Sequence, residues 1–263
     1  MVVGIVVNRV NTARRVHDVL LRNKNQSELL TGRIRPFDRD RLMNSLFPKI
    51  RAGRKRGGKK PLFVVATQTI EVGADVDLDA LVTEAAPLAS LRQRFGRLDR
   101  LGQLGKARGV IVYRGPKVDK RGNIIPDPVY GMDIHTAWKW LEGVAGNGCV
   151  DFGISAMEAL MVRVDPPQVE PVDTPTLLPS HVDLLAQTGP DAPYVEVSPW
   201  LHGAQRGTAD VSIVWRSDLA RGEEDIWSET VRLCPPRVKE ALEVPLYAVC
   251  LLYTSDAADE LDG

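Results

Sequence analysis

Short, uninterrupted apolar runs recur along the first 115 residues, and polar segments with apolar residues at helical spacing separate several of them. Strands buried on both faces are predicted at VVGIVVN (2–8), PLFVVAT (61–67) and ALVTEA (80–85). Further strands are predicted at SELLTG (27–32), which ends at a turn, and at ARGVIVYRG (107–115). Helices are predicted after a cap at Asn11 or Thr12, over 35–50, and over 90–102 from Ser90 to Gly102. Strands alternating with helices predict an α/β fold with a parallel sheet flanked by helices.

The pattern changes after about residue 116, where the regular alternation ends. Residues 133–144 are predicted to be helical, and the proline-rich stretch 165–180 is predicted to be a linker. The segments HVDLLAQT, VSPWLHG and DVSIVWRSDL favour a smaller strand-and-loop region. We therefore predict a first domain over 1–115 and an accessory region over 116–249.

Charge is distributed unevenly along a chain whose composition, 44% hydrophobic and 26% charged, is that of a globular protein. Residues 1–122 hold 26 Lys and Arg against 11 Asp and Glu, or +15, and the remainder is −15. A basic first half indicates a polyanionic partner, although two solvated faces of opposite sign would give the same count. No apolar run is long enough for a membrane span, and the N-terminus lacks the basic segment that would predict a signal peptide. The three cysteines are far apart, which favours a reduced, cytoplasmic protein and predicts no metal site.

Two segments at the predicted carboxyl edge of the sheet carry candidate chemistry. VVATQTIEVGADVD (64–77) follows a buried strand, and its Thr67 hydroxyl and Asp75 carboxylate are suited to phosphate and ribose hydroxyl groups. QRFGRLDR (93–100) sets Arg94, Arg97 and Arg100 at intervals of three, which on a helix is roughly one face. Guanidinium groups are rigid forks that match phosphate oxygens. A solvated basic helix and an ordinary strand–loop turn remain the alternatives.

Together these segments resemble motifs V and VI of superfamily 2 helicases, which belong to the second RecA-like domain of those enzymes. VVNRVNTARRV resembles the motif IV strand and helix, and LLTGRIRPFDRDR resembles the next block. Among superfamily members, TQTIEVGADVDLDALVTEAAPLASLRQRFGRLDR is most similar to the CRISPR-associated helicase-nuclease of type I interference systems.

The resemblance implies an ATP-dependent DNA helicase that works on single-stranded DNA and is recruited by a CRISPR surveillance complex. Arg97 and Arg100 would be arginine fingers at the γ-phosphate, and Gln93, Arg94 and Gly73 would couple nucleotide to nucleic acid. Asp75 would contact the ribose of ATP. The residues implied to contact the nucleic-acid backbone are Thr67, Arg33 and Arg35.

Other parts of such an enzyme are not found in this sequence. GRKRGGKK (53–60) ends in Lys60 where a phosphate loop needs Ser or Thr, and it precedes a strand. We therefore interpret it as a disordered or DNA-facing insertion, with a solvated loop as the alternative. The His17–Asp18 pair lies within a predicted helix and is interpreted as a chance match to a nuclease motif. We therefore expect a fragment that begins at the second RecA-like domain, with ATP and Mg²⁺ bound mainly by the first.

The sequence is also compatible with two other functions. The chain could come from another superfamily 2 protein, an RNA helicase or a DNA repair translocase, or it could be a nucleic-acid-binding module without catalysis. CLLYTSDAADE (250–260) resembles the conceptual translation of a transposase-based sequencing adapter, so residues 250–263 are not expected to be native, and a native helical tail is the alternative.

Overall fold

The computed structural model describes residues 1–58, 60–71, 75–168, 175–187, 210–219 and 224–246, and positions 189, 195, 197, 199, 200, 222 and 249. Two compact units divide the chain, Met1–Gln168 and Val169–Gly263. The predicted boundary at residue 115 falls inside the first unit, because a later helix, α4 (Asp133–Val144), contributes Ala137 and Leu141 to a core shared with Leu88 and Leu91.

The first unit is built on a five-stranded parallel sheet, as predicted from the apolar runs. Its strands are β1 (Val2–Val6), β2 (Gln26–Leu30), β3 (Leu62–Ala66), β4 (Ala80–Glu84) and β5 (Gly109–Val112), in the spatial order β2-β3-β1-β4-β5. The central strands are rich in β-branched residues, and Val6, Val64 and Val65 are wholly buried in the core. The fold class is therefore α/β, with helices flanking the sheet.

Helices connect the strands, and their starts differ from the predicted caps. These helices are α1 (Val10–Arg22), α2 (Pro36–Ile50) and α3 (Leu88–Phe95). α1 begins after Arg9, so Asn11 and Thr12 lie inside the helix and not at its cap. α3 begins after Pro87, which places Ser90 in its first turn.

The predicted helix over 90–102 was wrong at its C-terminal end, because α3 stops at Phe95. Residues 97–99 instead run beside Leu78, whose backbone N–H donates to the Arg97 carbonyl (2.7 Å) and whose carbonyl accepts from Asp99 N–H (2.9 Å). Asp99 has a φ of +44°, a left-handed conformation that ends a helical path. Arg97 and Arg100 therefore lie on an extended and turning segment, not on the helix that carries Arg94.

The carboxyl ends of β1 and β4 form a topological switch point of the sheet. The connection from β1 leads to β2 at one edge, whereas the connection from β4 leads to β5 at the other edge. Open α/β sheets bind ligands in the crevice outside the strands at such a point. The short strands β6 (Lys117–Val118) and β7 (Ile124–Ile125) form an antiparallel pair whose neighbouring residues reach this crevice.

Helix α4 confirms the helix predicted over 133–144, and α5 (Ile154–Arg163) completes the helices of the first unit. In the described part of the second unit, α6 (Pro179–Leu185) and α7 (Glu224–Leu233) accompany an antiparallel pair, β8 (Asp210–Ile213) and β9 (Leu242–Pro245). The helix over HVDLL differs from the strand-and-loop expectation. The proposed adapter segment 250–263, residues 169–174 of the linker and most of VSPWLHG lie outside the described residues.

Candidate functional site

The two motif segments, although predicted separately, contact each other in the structure. Asp77 carboxylate oxygen Oδ1 accepts from the backbone N–H of Arg100 at 3.0 Å, and Leu78 forms the backbone bonds to Arg97 and Asp99 described above. Residues 75–78 and the segment that follows α3 therefore form one surface. This surface lies beside the amino ends of β1 and β4, because Asp79 directly precedes β4 and its backbone N–H donates to the Val2 carbonyl at 2.9 Å. The predicted carboxyl-edge location is therefore wrong for the backbone of Arg97 and Arg100. The fold brings Arg97, Arg100 and Asp75 together at this surface.

Arg97 and Arg100 differ in how firmly the protein holds them. Arg97 is 9% exposed and donates through its terminal nitrogen Nη2 to the backbone carbonyl of Glu71 at 2.8 Å. The Arg100 side chain is 39% exposed, and its Nε lies 2.9 Å from Oδ1 of Asp75, which is 57% exposed. Arg97 is thus anchored by the fold, whereas Arg100 is held by an exposed carboxylate.

The electrostatic environment of Arg97 favours an additional anion. Burial lowers the pKa of its guanidinium, the positive charge of Arg100 lowers it further, and Asp75 acts in the opposite direction. Two guanidinium groups and one carboxylate therefore share this surface. A bound phosphate would relieve the repulsion between the two cations and would replace some of the water that Arg97 has lost.

Arg94 has a different environment from the other two motif arginines, because it is wholly buried. Its guanidinium donates to Oε1 of Glu71 (2.8 Å), Oγ1 of Thr83 (2.9 Å), the backbone carbonyl of Glu84 (3.1 Å) and Oδ1 of Asn8 (2.9 Å). These partners come from β4, from the residues after β1 and from the loop after β3. Arg94 therefore ties the carboxyl ends of adjacent strands together, while its neighbour Gln93 is exposed.

Sequence reasoning did not identify several residues of this network. Asn8 also receives a hydrogen bond at its carbonyl from Gln68 Nε2 (3.1 Å), which lies 2.9 Å from the Tyr130 hydroxyl as well. That hydroxyl lies 3.5 Å from Arg94 Nη2. Glu71 and Gln68 belong to the TQTIE segment that carries the resemblance, so this motif is the sequence signal that could have identified them. Tyr130 follows the last predicted strand and carries no local signal for this contact.

The basic loop 53–60 does not form the DNA-facing or solvated surface that its composition suggested at Arg54 and Arg56. Arg54 is buried and pairs with Asp77 (2.8 Å) and Asp79 (2.7 Å). Arg56 pairs with Asp77 (2.9 Å), Asp79 and Asp99 (2.9 Å). Since Asp77 is only 1% exposed, these guanidinium groups neutralise a carboxylate that the fold has removed from water. The second acidic residue of the GADVD segment is therefore structural.

The remaining predicted site residues are Thr67, Arg33, Arg35 and Gly73. Thr67 follows β3 and is 3% exposed, and Arg33 is exposed beyond β2. Arg35 precedes α2 and donates to Asp38 (2.6 Å), a hydrogen bond that lowers the pKa of this carboxyl group. Gly73 lies outside the described residues.

A crevice of about 420 Å³ lies at the switch point of the sheet. Its lining includes Asn8, Arg9, Glu84, Tyr113 and Arg114, from the residues at and beyond the ends of β1, β4 and β5. The segment that contains β6 and β7 forms another wall, and Asp127 of this segment pairs with Arg9 at 2.6 Å. A groove with exposed cations at the carboxyl edge is suited to a phosphate-bearing ligand.

A metal-binding cluster and a membrane-spanning helix are both absent from the described residues. These residues hold no group of three or more His, Cys, Asp and Glu residues that could bind a metal ion. The helices that the structure describes include none with the length and apolar character needed to cross a membrane.

Comparison with known proteins relates the first part of the chain to one family. Residues 1–103 match the model described as "CRISPR-associated nuclease/helicase Cas3, C-terminal". The CRISPR-associated nuclease/helicase Cas3 of Streptococcus thermophilus is 34% identical over 103 residues, which is 38% of this chain and 11% of that protein. The corresponding protein of Haloferax volcanii is 35% identical over 83 residues, 32% of this chain and 8% of that protein. The chain thus spans about a tenth of the length of these curated relatives.

Solved structures with similar folds include Cas3 of T. fusca with ADP, at a TM-score of 0.49 and 22% identity over 62% of this chain and 20% of that one. A chain from a CRISPR RNA-guided surveillance complex in a pre-nicking state gives a TM-score of 0.46 and 23% identity, covering 56% of this chain and 19% of that chain.

Proposed function

Residues 1–103 are a superfamily 2 helicase C-terminal domain of the Cas3 type, and from this premise we propose that the chain supplies the arginine side of an ATP site in a CRISPR helicase-nuclease. In this proposal a first RecA-like domain binds ATP and supplies most of the contacts to Mg²⁺. The second RecA-like domain, in this chain, contributes Arg97 and Arg100 to the γ-phosphate. Hydrolysis would drive translocation along single-stranded DNA.

The observation that carries the proposal is the shared surface of Arg97, Arg100 and Asp75 beside the amino end of β4. An arginine at the γ-phosphate stabilises the negative charge that develops during phosphoryl transfer. Arg97 is anchored through the Glu71 carbonyl, and Arg100 is fixed at its backbone by Asp77, so both guanidinium groups start from defined positions. Such preorganisation is the main protein contribution to phosphoryl transfer.

The ATP part of the proposal is tested by two measurements of hydrolysis. The 263-residue chain alone should not hydrolyse ATP, and robust DNA-stimulated hydrolysis by residues 1–249 would contradict the need for a first RecA-like domain. When the domain is joined to a first RecA-like domain, Arg97→Ala and Arg100→Ala should each lower turnover by roughly 10³-fold or more. Arg92→Ala is the matched control, since Arg92 is exposed on the preceding helix α3. Turnover equal to that of the control would reject the assignment.

We propose single-stranded DNA as the nucleic acid because the relatives matched are CRISPR-associated nuclease/helicases and the first half of the chain is basic. The strand would follow the carboxyl edge of the sheet, with Arg33, Arg35 and the crevice residue Arg114 near its phosphates. A CRISPR surveillance complex is the proposed recruiting partner. Binding of a labelled oligonucleotide should weaken with salt by about 0.7 in log K per log salt for each phosphate contacted. Arg114→Ala should reduce that slope by about 0.7, and an unchanged slope would exclude Arg114 from the track.

A further inference from the structure

Asp75 and Arg100 form an ion pair whose backbones are anchored while their side chains remain in solvent. The Asp75 carbonyl accepts from the backbone N–H of Ala52 at 2.9 Å, and the Arg100 backbone N–H donates to Asp77 at 3.0 Å. Between these fixed points the guanidinium and carboxylate groups meet at 2.9 Å with 39% and 57% of their side chains exposed. The pair can therefore open by side-chain rotation without moving either backbone.

The carboxylate of Asp75 accepts from the Arg100 guanidinium, which a phosphate on this surface would also need as a donor. The Nε of Arg100 points at Asp75, and Asp75 is also the group that opposes the mutual repulsion of Arg97 and Arg100. A phosphate carries more charge and more acceptor oxygens than one carboxylate, and an exposed ion pair is weak. Phosphate and Asp75 are thus competing acceptors for the same guanidinium group.

We propose that Asp75 is a positioning residue that holds Arg100 beside Arg97 in the absence of nucleotide and releases it when a phosphate arrives. The proposal rests on the proposed function, in which these arginines face phosphate. It gives Asp75 a role in setting the phosphate affinity of the site, separate from any contact with ribose.

The test is calorimetric titration of the 263-residue chain with inorganic tripolyphosphate, which has no ribose, at low ionic strength. Asp75→Asn should bind about two- to fivefold more tightly than the unmodified chain, because the competing charge is gone. Asp18→Asn is the charge-matched control, since Asp18 is an exposed carboxylate on α1, and its affinity should change less. Arg100→Ala and Arg97→Ala should weaken binding, and Asp75→Asn should give no gain once Arg100 is replaced.

Each contrary result has a distinct meaning. In one outcome Arg100→Ala weakens tripolyphosphate binding, but the affinity of Asp75→Asn equals that of the unmodified chain or of Asp18→Asn. Asp75 then does not compete for Arg100, and only the positioning role is rejected. A gain from Asp75→Asn that persists in the Arg100→Ala background also rejects it. If neither arginine substitution changes tripolyphosphate affinity, or no variant binds it, both this proposal and the phosphate-facing assignment are wrong. Circular dichroism of each variant confirms that the comparison is between folded chains.

Discussion

Replacing Arg94 with Met should destabilise the first unit far more than replacing any exposed arginine of α3. Arg94 is wholly buried and pairs with Glu71 at 2.8 Å, and the Glu71 side chain is only 11% exposed. Breaking a buried ion pair by removing one partner costs about 3–5 kcal/mol, since the other charge stays buried without compensation. The hydrogen bonds to Thr83 and Asn8 are lost in the same substitution.

The assay should report on the first unit alone, because the chain has two units. Hydrogen exchange of the amides in β1 and β3 meets this requirement, since both strands lie in the centre of that unit's sheet. A loss of about 3 kcal/mol or more would accelerate exchange through global opening by roughly a hundredfold or more. The midpoint of thermal unfolding should fall by about 6–20 °C for a unit of this size.

Two further variants test this role of Arg94. Arg92→Met changes an exposed arginine on the same helix and should alter the free energy of unfolding by no more than about 0.5 kcal/mol. Glu71→Gln combined with Arg94→Met removes the buried charge, so the double variant should lose less stability than the sum of the two single variants. If Arg94→Met exchanges as slowly as Arg92→Met, the guanidinium of Arg94 does not hold the strand ends together.

Three other changes test the contacts around the site. Gly4→Ala should lower the free energy of unfolding in urea by about 1–3 kcal/mol, because the added Cβ would lie 2.4 Å from Cδ1 of Leu78. Leu78 is the residue whose backbone bonds to Arg97, and an unchanged urea midpoint would show that its side chain adapts freely. Arg54→Ala should destabilise by about 1–3 kcal/mol, since Asp77 would lose a buried partner, and a loss no greater than that of the exposed Arg51→Ala would contradict this. Burial alone would raise the pKa of Asp79, but hydrogen bonds and charge from Val2, Arg54 and Arg56 lower it below 3.8. The stability that Asp79 contributes is therefore present above about pH 4 and lost as the pH falls through the lowered pKa, so Asp79→Asn should flatten unfolding free energies measured between about pH 5 and pH 2.

Much of the fold was predictable because its strands are signalled locally. A strand buried on both faces needs a continuous apolar run, as in β1 and β3, and all five predicted segments correspond to strands of the parallel sheet. The end of α3 was not predictable in this way. It depends on the bridge between Leu78 and Leu98, a contact between residues distant in sequence that draws the chain out of the helix after Phe95. Gly96 was the local signal, and a helix continuing to Gly102 was an equally good interpretation of the pattern.

The basic loop shows why charge composition alone did not separate binding surfaces from structural ion pairs. Arg54 and Arg56 add to the excess of positive charge in the first half, yet Asp77, Asp79 and Asp99 neutralise both. The partners lie between 21 and 43 residues further along the chain. Only the folded arrangement distinguishes these arginines from ones that face a ligand.

The same distinction separates the three arginines of the QRFGRLDR motif. Equal spacing suggested one helical face, but the turn after Phe95 gives each side chain a different degree of anchoring. Arg94 is fully buried, Arg97 is held against the Glu71 carbonyl, and the Arg100 guanidinium pairs with an exposed carboxylate. A residue that must move toward a ligand has to be released from weak contacts, whereas one that maintains the geometry of the surface needs strong ones. We therefore expect substitutions along this motif to shift from loss of stability at Arg94 to loss of phosphate affinity with intact folding at Arg100.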